Sequence, residues 1–278
     1  IRRRTGIERR HLAADDETLV SMAASAATKA LADAGVDPGR VDQVVLATCS
    51  MPDPIPGGAP RVADAIGASG AGAYDLNGAC AGFCYALSAA SDAVRTGSAE
   101  YVVVAGAERL SGWVDWTDRS SAILFGDGAG AVVVGPSDRP GIGPLISGSD
   151  GTGFELIAMS QTHHVSLNGP AVFRWATTTL GEVARRVCAS AGIEPADLDA
   201  VVLHQANLRI INAIAKELGA PNAVVAADVV DTGNTSAASI PLALTRLRRE
   251  GKVAAGDLAL TLAFGAGLTW AGAVIEVP

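Results

Sequence analysis

The chain reads as an α/β protein of two similar halves, each a largely parallel sheet flanked by helices. Three observations lead there: an internal repeat at one constant offset, apolar strands alternating with helices, and a composition of small side chains. The 278 residues are 49% hydrophobic but only 4% aromatic, with 32 glycines, which suits tightly packed layers. A chain of this length buries roughly 75% of its unfolded surface and stands near the size at which one core divides into two.

The repeat has an offset of 157 residues. LADAGVDPGRVDQVVLATCS, beginning at Leu31, aligns with CASAGIEPADLDAVVLHQAN, beginning at Cys188. Ala34, Gly35, Pro38, Asp42 and Leu46 fall on Ala191, Gly192, Pro195, Asp199 and Leu203. At the same offset Asn77 meets Asn234, Ala86-Leu87 meets Ala243-Leu244, and Glu100 meets Asp257. A repeat of this length, without a gap, is the mark of duplication.

Each copy has the same grammar. A helix (about 17–34 and 175–191) ends at Gly35 or Gly192, where glycine supplies a left-handed cap. The apolar strands Val44–Ala47 and Val201–Leu203 follow, then a turn of small residues into helices near 80–96 and 236–250. A second apolar strand, Tyr101–Ala105 or Leu258–Ala263, closes each copy. Continuous apolar strands of this kind belong to buried parallel sheets. Each half is expected to form a domain, 1–140 and 141–278. A pseudo-two-fold would carry equivalent turns toward one central site, where open α/β sheets bind ligands.

Several function classes are excluded or disfavoured. No apolar run reaches the ~18–20 residues of a membrane span. IRRRTGIERRHLAADD has no apolar core of a signal peptide, so a cytoplasmic protein is expected. A net charge of −8 argues against a general nucleic-acid binder. The four cysteines, Cys49, Cys80, Cys84 and Cys188, form neither a disulfide framework nor, with the four histidines, a zinc pattern. The run Gly126-Asp-Gly-Ala-Gly130 resembles a dinucleotide loop, but Ala131–Val134 is strand-like, with no helix to offer its N-terminus to a phosphate. A hairpin between Ile123–Phe125 and Ala131–Val134 is the better expectation.

The candidate nucleophile is Cys80, in DLNGACAGFCYAL. Gly78, Ala79 and Gly82 leave its sulfur unshielded, and helical periodicity begins just after it. A helix N-terminus favours thiolate. A small core cysteine is the plainer alternative, and it suits Cys84, Cys49 and Cys188 better. His204 ends the Val201–Leu203 strand, where an α/β enzyme places an acid, base or donor; a satisfied, partly buried histidine is the alternative. Asn234, in DTGNTSAASIPLAL, is by itself ordinary capping chemistry. The repeat sets Cys80 and Asn234 in equivalent turns and His204 at the end of an equivalent strand, which favours one shared site.

The strings ACAGFCYAL, FGDGAGAVVV, LHQANLRI, GNTSAASIPLAL and FGAGLTWAG, in this order, resemble the β-ketoacyl-acyl-carrier-protein synthase III family. The resemblance runs from Arg4 to the C-terminus. It implies a thiolase-like fold, with two βαβαβαββ halves in five α/β/α/β/α layers. The family's first strand and its adenine-stacking tryptophan would lie before Ile1. By the same resemblance Cys80 carries the acyl group and His204 and Asn234 complete the catalytic set. The backbone N–H groups of Cys80 and Ala266 form the oxyanion hole, Ala266 standing where the family usually has glycine. Arg4, Arg119, Gly169 and Asn207 match coenzyme A contacts. Arg174, Gln205, Ala206, Asn207, Leu208, Arg209 and Lys216 match the docking patch for acyl carrier protein. Ile55, in MPDPIPGG, takes a site where some members carry Phe from the neighbouring subunit. With Leu110, Phe125 and Phe264 it is expected to line an acyl pocket roomy enough for long or branched starters. The implied partners are acyl-CoA, acyl carrier protein and a second copy of the chain, with no metal or redox cofactor. The alternatives are an acyltransferase that passes its acyl group to a small acceptor, and a non-catalytic partner subunit.

Overall fold

The computed structural model describes residues 1–278. The first half runs α1 (Arg2–Thr5), α2 (Leu19–Ala34), β1 (Gln43–Ala47), α3 (Ala59–Ala65), β2 (Gly72–Leu76), α4 (Gly82–Arg95), β3 (Val102–Glu108) and β4 (Gly128–Val134). The second half begins with β5 (Ile146–Ser149), the small hairpin β6 (Ile157–Met159) and β7 (Val165–Leu167), α5 (Gly169–Ser190) and β8 (Ala200–Leu203). It continues with α6 (Leu208–Leu218), β9 (Val224–Val225), α7 (Val229–Thr232), α8 (Ser239–Arg249), β10 (Leu258–Gly265) and β11 (Thr269–Glu276).

Two sheets result, ordered β2-β1-β3-β4 and β5-β11-β10-β8-β9. The strands β1, β2 and β3 are parallel, as are β8, β9 and β10, while β4 and β11 return antiparallel on β3 and β10. Alternation along each strand sorts its side chains between two layers. Val44 and Leu46 face outward onto α2 and α3, while Val45 and Ala47 face inward with α4. In the second sheet Val201 and Leu203 pack outward with α5 and α6, and Val202 faces inward with α8. The molecule is therefore five layers deep: α2 and α3, a sheet, α4 and α8, a sheet, α5 and α6.

The repeat is reproduced atom by atom. Asp42 Oδ2 accepts the Tyr101 N–H at 3.2 Å, and its counterpart Asp199 Oδ2 accepts the Leu258 N–H at 2.8 Å. Gly35 and Gly192 both take the left-handed conformation, at φ 64° and 73°. The short 3-10 turns Pro38–Arg40 and Pro195–Asp197 follow at equal spacing.

Three elements differ from the sequence expectation. Ile123–Phe125 is no strand: β4 pairs instead with β3, Val104 opposite Val132, and the 110–127 segment is a long excursion between them. Phe125 is bridged to Asn234 across the halves. Helix α5 begins at Gly169, because the Asn168 side chain caps Ala171 N–H and Pro170 suits the first turn. The helix expected from 236 opens with a 3-10 turn, Ser236–Ala238, before α8.

The central layer explains the abundance of small residues. A Cβ added to Gly106 on β3 would fall against the Ala237 carbonyl oxygen, so strand and turn meet backbone to backbone. Gly106→Ala should lower stability by about 1–3 kcal/mol through overpacking. Gly70→Ala, with open space around its Cβ, should not. Urea midpoints of the two variants check this.

Candidate active site

Two turns enter the central helices, and they are built alike. Asn77 Oδ1 accepts the Ala79 N–H at 3.1 Å, and Asn234 Oδ1 accepts the Ser236 N–H at 2.8 Å. Ala79 and Ser236 are both left-handed, at φ 46° and 49°, a costly conformation for a residue with a Cβ. One residue beyond Ala79 stands Cys80; one beyond Ser236 stands Ala237. Helix α4 starts at Gly82, so Cys80 lies in the turn before the helix rather than in its first turn.

The second half closes over Cys80. A Cβ on Gly265 would lie 2.6 Å from the Cys80 backbone nitrogen, so the end of β10 and its Gly265-Ala266 turn lie against the nucleophile's peptide. The Asn234 turn brings the Ser236 hydroxyl into the same region, where it donates to Glu108 Oε1 at 2.9 Å. Cys49, at the end of β1, sits 3.8 Å from the same hydroxyl. His204 is buried at the end of β8, its ring edge-on to Phe264 with centroids 5.4 Å apart. Phe264 directly precedes Gly265, which links His204 to the Cys80 turn. Cys80, His204 and Asn234 thus converge on the central layer.

The histidine's tautomer follows from its partner. His204 Nδ1 is 2.8 Å from Ser239 Oγ. That hydroxyl accepts the Gln205 N–H at 3.4 Å, and Nδ1 is the acceptor its own proton reaches. Assigned from this network, Nδ1 is bare and the neutral ring carries its proton on Nε2. Burial lowers the imidazole pKa to about 3, so the ring is neutral at pH 7. Burial also pushes the Cys80 thiol up to about 12, against the opposing Ser236 and own-backbone hydrogen bonds and with the Glu108 charge adding to the rise. The expected thiolate is therefore not the resting form. Desolvation outweighs the helix terminus.

The 3-oxoacyl-[acyl-carrier-protein (ACP)] synthase III family profile matches residues 74–151, and that of its C-terminal part matches 188–277. A β-ketoacyl-[acyl-carrier-protein] synthase III from Streptomyces coelicolor is 50% identical, covering 100% of this chain and 89% of that protein. Among solved structures, the priming β-ketosynthase of the R1128 polyketide biosynthetic pathway superposes with a TM-score of 0.96 at 46% identity, covering 99% of this chain and 86% of that one. The 3-oxoacyl-[acyl-carrier-protein] synthase III of Aquifex aeolicus VF5 superposes at 0.95 with 42% identity, covering 99% and 90%. The chain belongs to the β-ketoacyl-acyl-carrier-protein synthase III family. It is a condensing acyltransferase with the thiolase fold.

The other expected site residues of the synthase divide into those brought together and those set apart. Asn207 caps α6 and donates from Nδ2 to the Arg4 carbonyl oxygen at 3.2 Å, so these two coenzyme A candidates adjoin. The arm carrying Arg4 continues to Arg10, which donates to the Ala122 carbonyl oxygen in the segment bearing Arg119. Gly169 opens α5, which packs along α6. Arg209 lies over the Phe173 ring at 5.0 Å, beside exposed Arg174, while Lys216 is exposed two turns farther along α6. Ala206 and Leu208 are half-buried. Gln205 departs from the expected patch: it is fully buried, donating to the Leu203 carbonyl oxygen and accepting the Val229 N–H at 3.0 Å. It ties β8 to α7 and cannot reach a docked protein.

The expected acyl pocket also divides. Leu110 and Phe125 pack together with Val114, with Cys49 against them. Phe264 belongs to a different cluster, between His204 and Trp175. Ile55 is 85% exposed, on a loop held to β2 by Asp75, which accepts the Gly58 and Ala59 N–H groups. Its side chain belongs to neither of those two clusters. Sequence reading set Cys49 aside as a core cysteine and passed over Glu108, Ser236 and Ser239, all of which contact the site. The repeat carried a signal for one of them: Glu108 aligns with Gly265. Within the chain, no three His, Cys, Asp or Glu residues group so as to hold a metal, and no helix is long and apolar enough to cross a membrane.

The depressed His204 pKa has a consequence for stability. The unfolded imidazole takes a proton near pH 6.5 and the folded one only near 3. Its contribution is therefore complete above about pH 6.5 and is lost as pH falls toward 3. From pH 7 to 4.5 the wild type should lose about 2–3 kcal/mol more stability than His204→Asn. Denaturant midpoints at the two pH values measure the difference.

Proposed function

We propose that this synthase loads an acyl group from acyl-CoA onto Cys80 and condenses it with malonyl-acyl carrier protein, giving a 3-oxoacyl-acyl carrier protein. The observation that carries the reading is the convergence of a walled-in thiol, an Nε2-protonated neutral imidazole and an amide whose oxygen is already occupied. Because Asn234 Oδ1 accepts the Ser236 N–H, its Nδ2 hydrogens are the free groups of the amide. His204 Nε2–H and Asn234 Nδ2–H are then both donors. Two donors suit a reaction that develops negative charge on a thioester oxygen, as decarboxylation to an enolate does.

The cycle balances without an external oxidant or metal. Cys80 sulfur attacks the acyl-CoA carbonyl, the oxyanion being held by the N–H groups of Cys80 and Ala266. The carbon–sulfur bond to coenzyme A breaks, and the thiol proton leaves with the coenzyme A sulfur. Malonyl-acyl carrier protein then loses carbon dioxide, and its carbanion attacks the acyl-Cys80 carbonyl. The Cys80 thiolate released takes up one proton, as a thiol pushed up to about 12 must at neutral pH.

Arg4, Arg119, Gly169 and Asn207 are assigned to coenzyme A, whose phosphates the arginines would meet. Exposed Arg209, Arg174 and Lys216 are assigned to the acidic carrier protein. A second copy is assigned to the free edge of β2, where exposed Tyr74 and Ile55 present an apolar surface on either side of Asp75. Ile55 would enter the partner's acyl pocket there, opposite the Leu110–Phe125 cluster.

Intact-mass analysis should show one acyl increment on the wild type and none on Cys80→Ser. Asn234→Ala should still acylate but lose about 10²–10³ in malonyl-dependent carbon dioxide release. Carbon dioxide release unaffected by the loss of Asn234, or acyl transfer to a small acceptor without it, would sink the condensing assignment. Tyr74→Lys combined with Ile55→Asp should convert a dimer to a monomer in sedimentation analysis.

A further inference from the structure

Glu108 ends β3 and is fully buried. Its contacts are all hydrogen-bond donors. Thr48 Oγ1 donates at 3.1 Å, Cys49 N at 3.2 Å, Cys49 Sγ at 3.4 Å, Ser236 Oγ at 2.9 Å and Ala237 N at 3.5 Å, and Ser50 Oγ completes the set. No lysine or arginine is paired with it. A buried carboxyl group held only by neutral donors is expensive, and a protein that retains one at the meeting of two halves is buying something other than stability.

The repeat shows what occupies the same place in the other half. Glu108 is the counterpart of Gly265. Before α4, Gly265 brings no side chain, and its backbone lies against the Cys80 nitrogen. Before α8, the Glu108 carboxylate fills the equivalent space, receiving the Ala237 N–H where the first half has Cys80 N–H. One turn meets bare backbone, and its twin is capped by the chain's own carboxyl group.

We propose that Glu108 is a positioning residue for decarboxylation, which acts through Ser236 to hold the Asn234 amide in its donating orientation. The inference rests on the role assigned to Asn234 above. Ser236 is held at both ends of its strained conformation: its hydroxyl donates to Glu108 Oε1, and its N–H donates to Asn234 Oδ1 at 2.8 Å. Without the carboxylate the left-handed Ser236 can relax, and the Asn234 oxygen loses the partner that turns Nδ2 toward the malonyl group.

Glu108→Gln tests this, because it preserves size yet sets an NH₂ against a shell made only of donors. Cys80 acylation by acyl-CoA is followed by intact mass, and carbon dioxide release from malonyl-acyl carrier protein is measured alongside it. The expected result is a fall in kcat for carbon dioxide release about tenfold larger than any fall in acylation, with KM for malonyl-acyl carrier protein unchanged. Glu108→Asp, which retains both oxygens, should recover part of the loss, and it carries the same ratio test should the glutamine variant not fold. A parallel fall in both half-reactions, or no fall in either, overturns the proposal. Asn234→Ala run beside it separates the two failures. Release surviving in Asn234→Ala removes the amide's role and the proposal with it, whereas release lost there but kept in Glu108→Gln removes the role of Glu108 alone.

Discussion

The closest constraint in this molecule is the backbone seam between its halves, where each central helix begins against a strand of the other half. Gly265 lies against the Cys80 peptide and Gly106 against the Ala237 carbonyl. No side chain fits at either contact, so neither turn can shift without moving the opposite sheet. Small residues in the central layer follow from this. Ala47, Ala81, Ala86, Ala237, Ala243 and Ala263 all pack there, and the layer is closed by backbone proximity rather than by bulk. The chemistry depends on the same seam. It makes the nucleophile's turn and the donor's turn parts of one rigid object, although they are far apart in sequence.

The seam also sets the electrostatics. A site largely closed from water favours neutral groups, and burial drives Cys80 up and His204 down, each toward its uncharged form. Burial pushes the neighbouring Glu108 carboxyl up as well. Donors fixed by Ser239 and Ser236 are then already aimed where charge will develop, and no solvent has to reorganise around them. In the proposed reaction the neutral imidazole acts through its Nε2 proton, and the Ser239 hydroxyl on Nδ1 sets which nitrogen bears it. That is a role for the first residue of α8 that its position as an ordinary helix start conceals.

Much of this was legible in the sequence, and the reason is the repeat. A pattern at one offset placed Gly35 with Gly192, β1 with β8 and Asn77 with Asn234, and from those equivalences the two-sheet architecture and the convergence of Cys80 with Asn234 followed. What was not legible depended on contacts that no local pattern encodes. The antiparallel β4 pairs with β3 across the 110–127 excursion, whereas local spacing suggested a hairpin from Ile123. Gln205 sits in a polar string that resembles a docking surface, yet its amide turns inward to satisfy Leu203 and Val229. Ile55 was expected where relatives insert a residue from the neighbouring subunit, and its exposed side chain is set apart from Leu110, Phe125 and Phe264 of its own chain. Desolvation was the largest omission, since a cysteine's distance from a helix end says nothing about the walls that the other half supplies.

The two turns also show how a duplicated scaffold comes to hold one site rather than two. Both retain the Asx contact and the left-handed residue, at Ala79 and Ser236, so both retain the strained geometry that projects the next residue. They differ in what lies opposite. A glycine brings only backbone against one turn, and a glutamate caps the other with its carboxyl group. In the proposed reaction side chains divide the work: the turn before α4 carries sulfur, while the turn before α8, capped by Glu108, offers the Asn234 amide. Closing the second turn removes a competing anion site a short distance from the first and gives Asn234 a fixed support. The asymmetry between Gly265 and Glu108 thus accounts for both the single nucleophile and the oriented donor beside it.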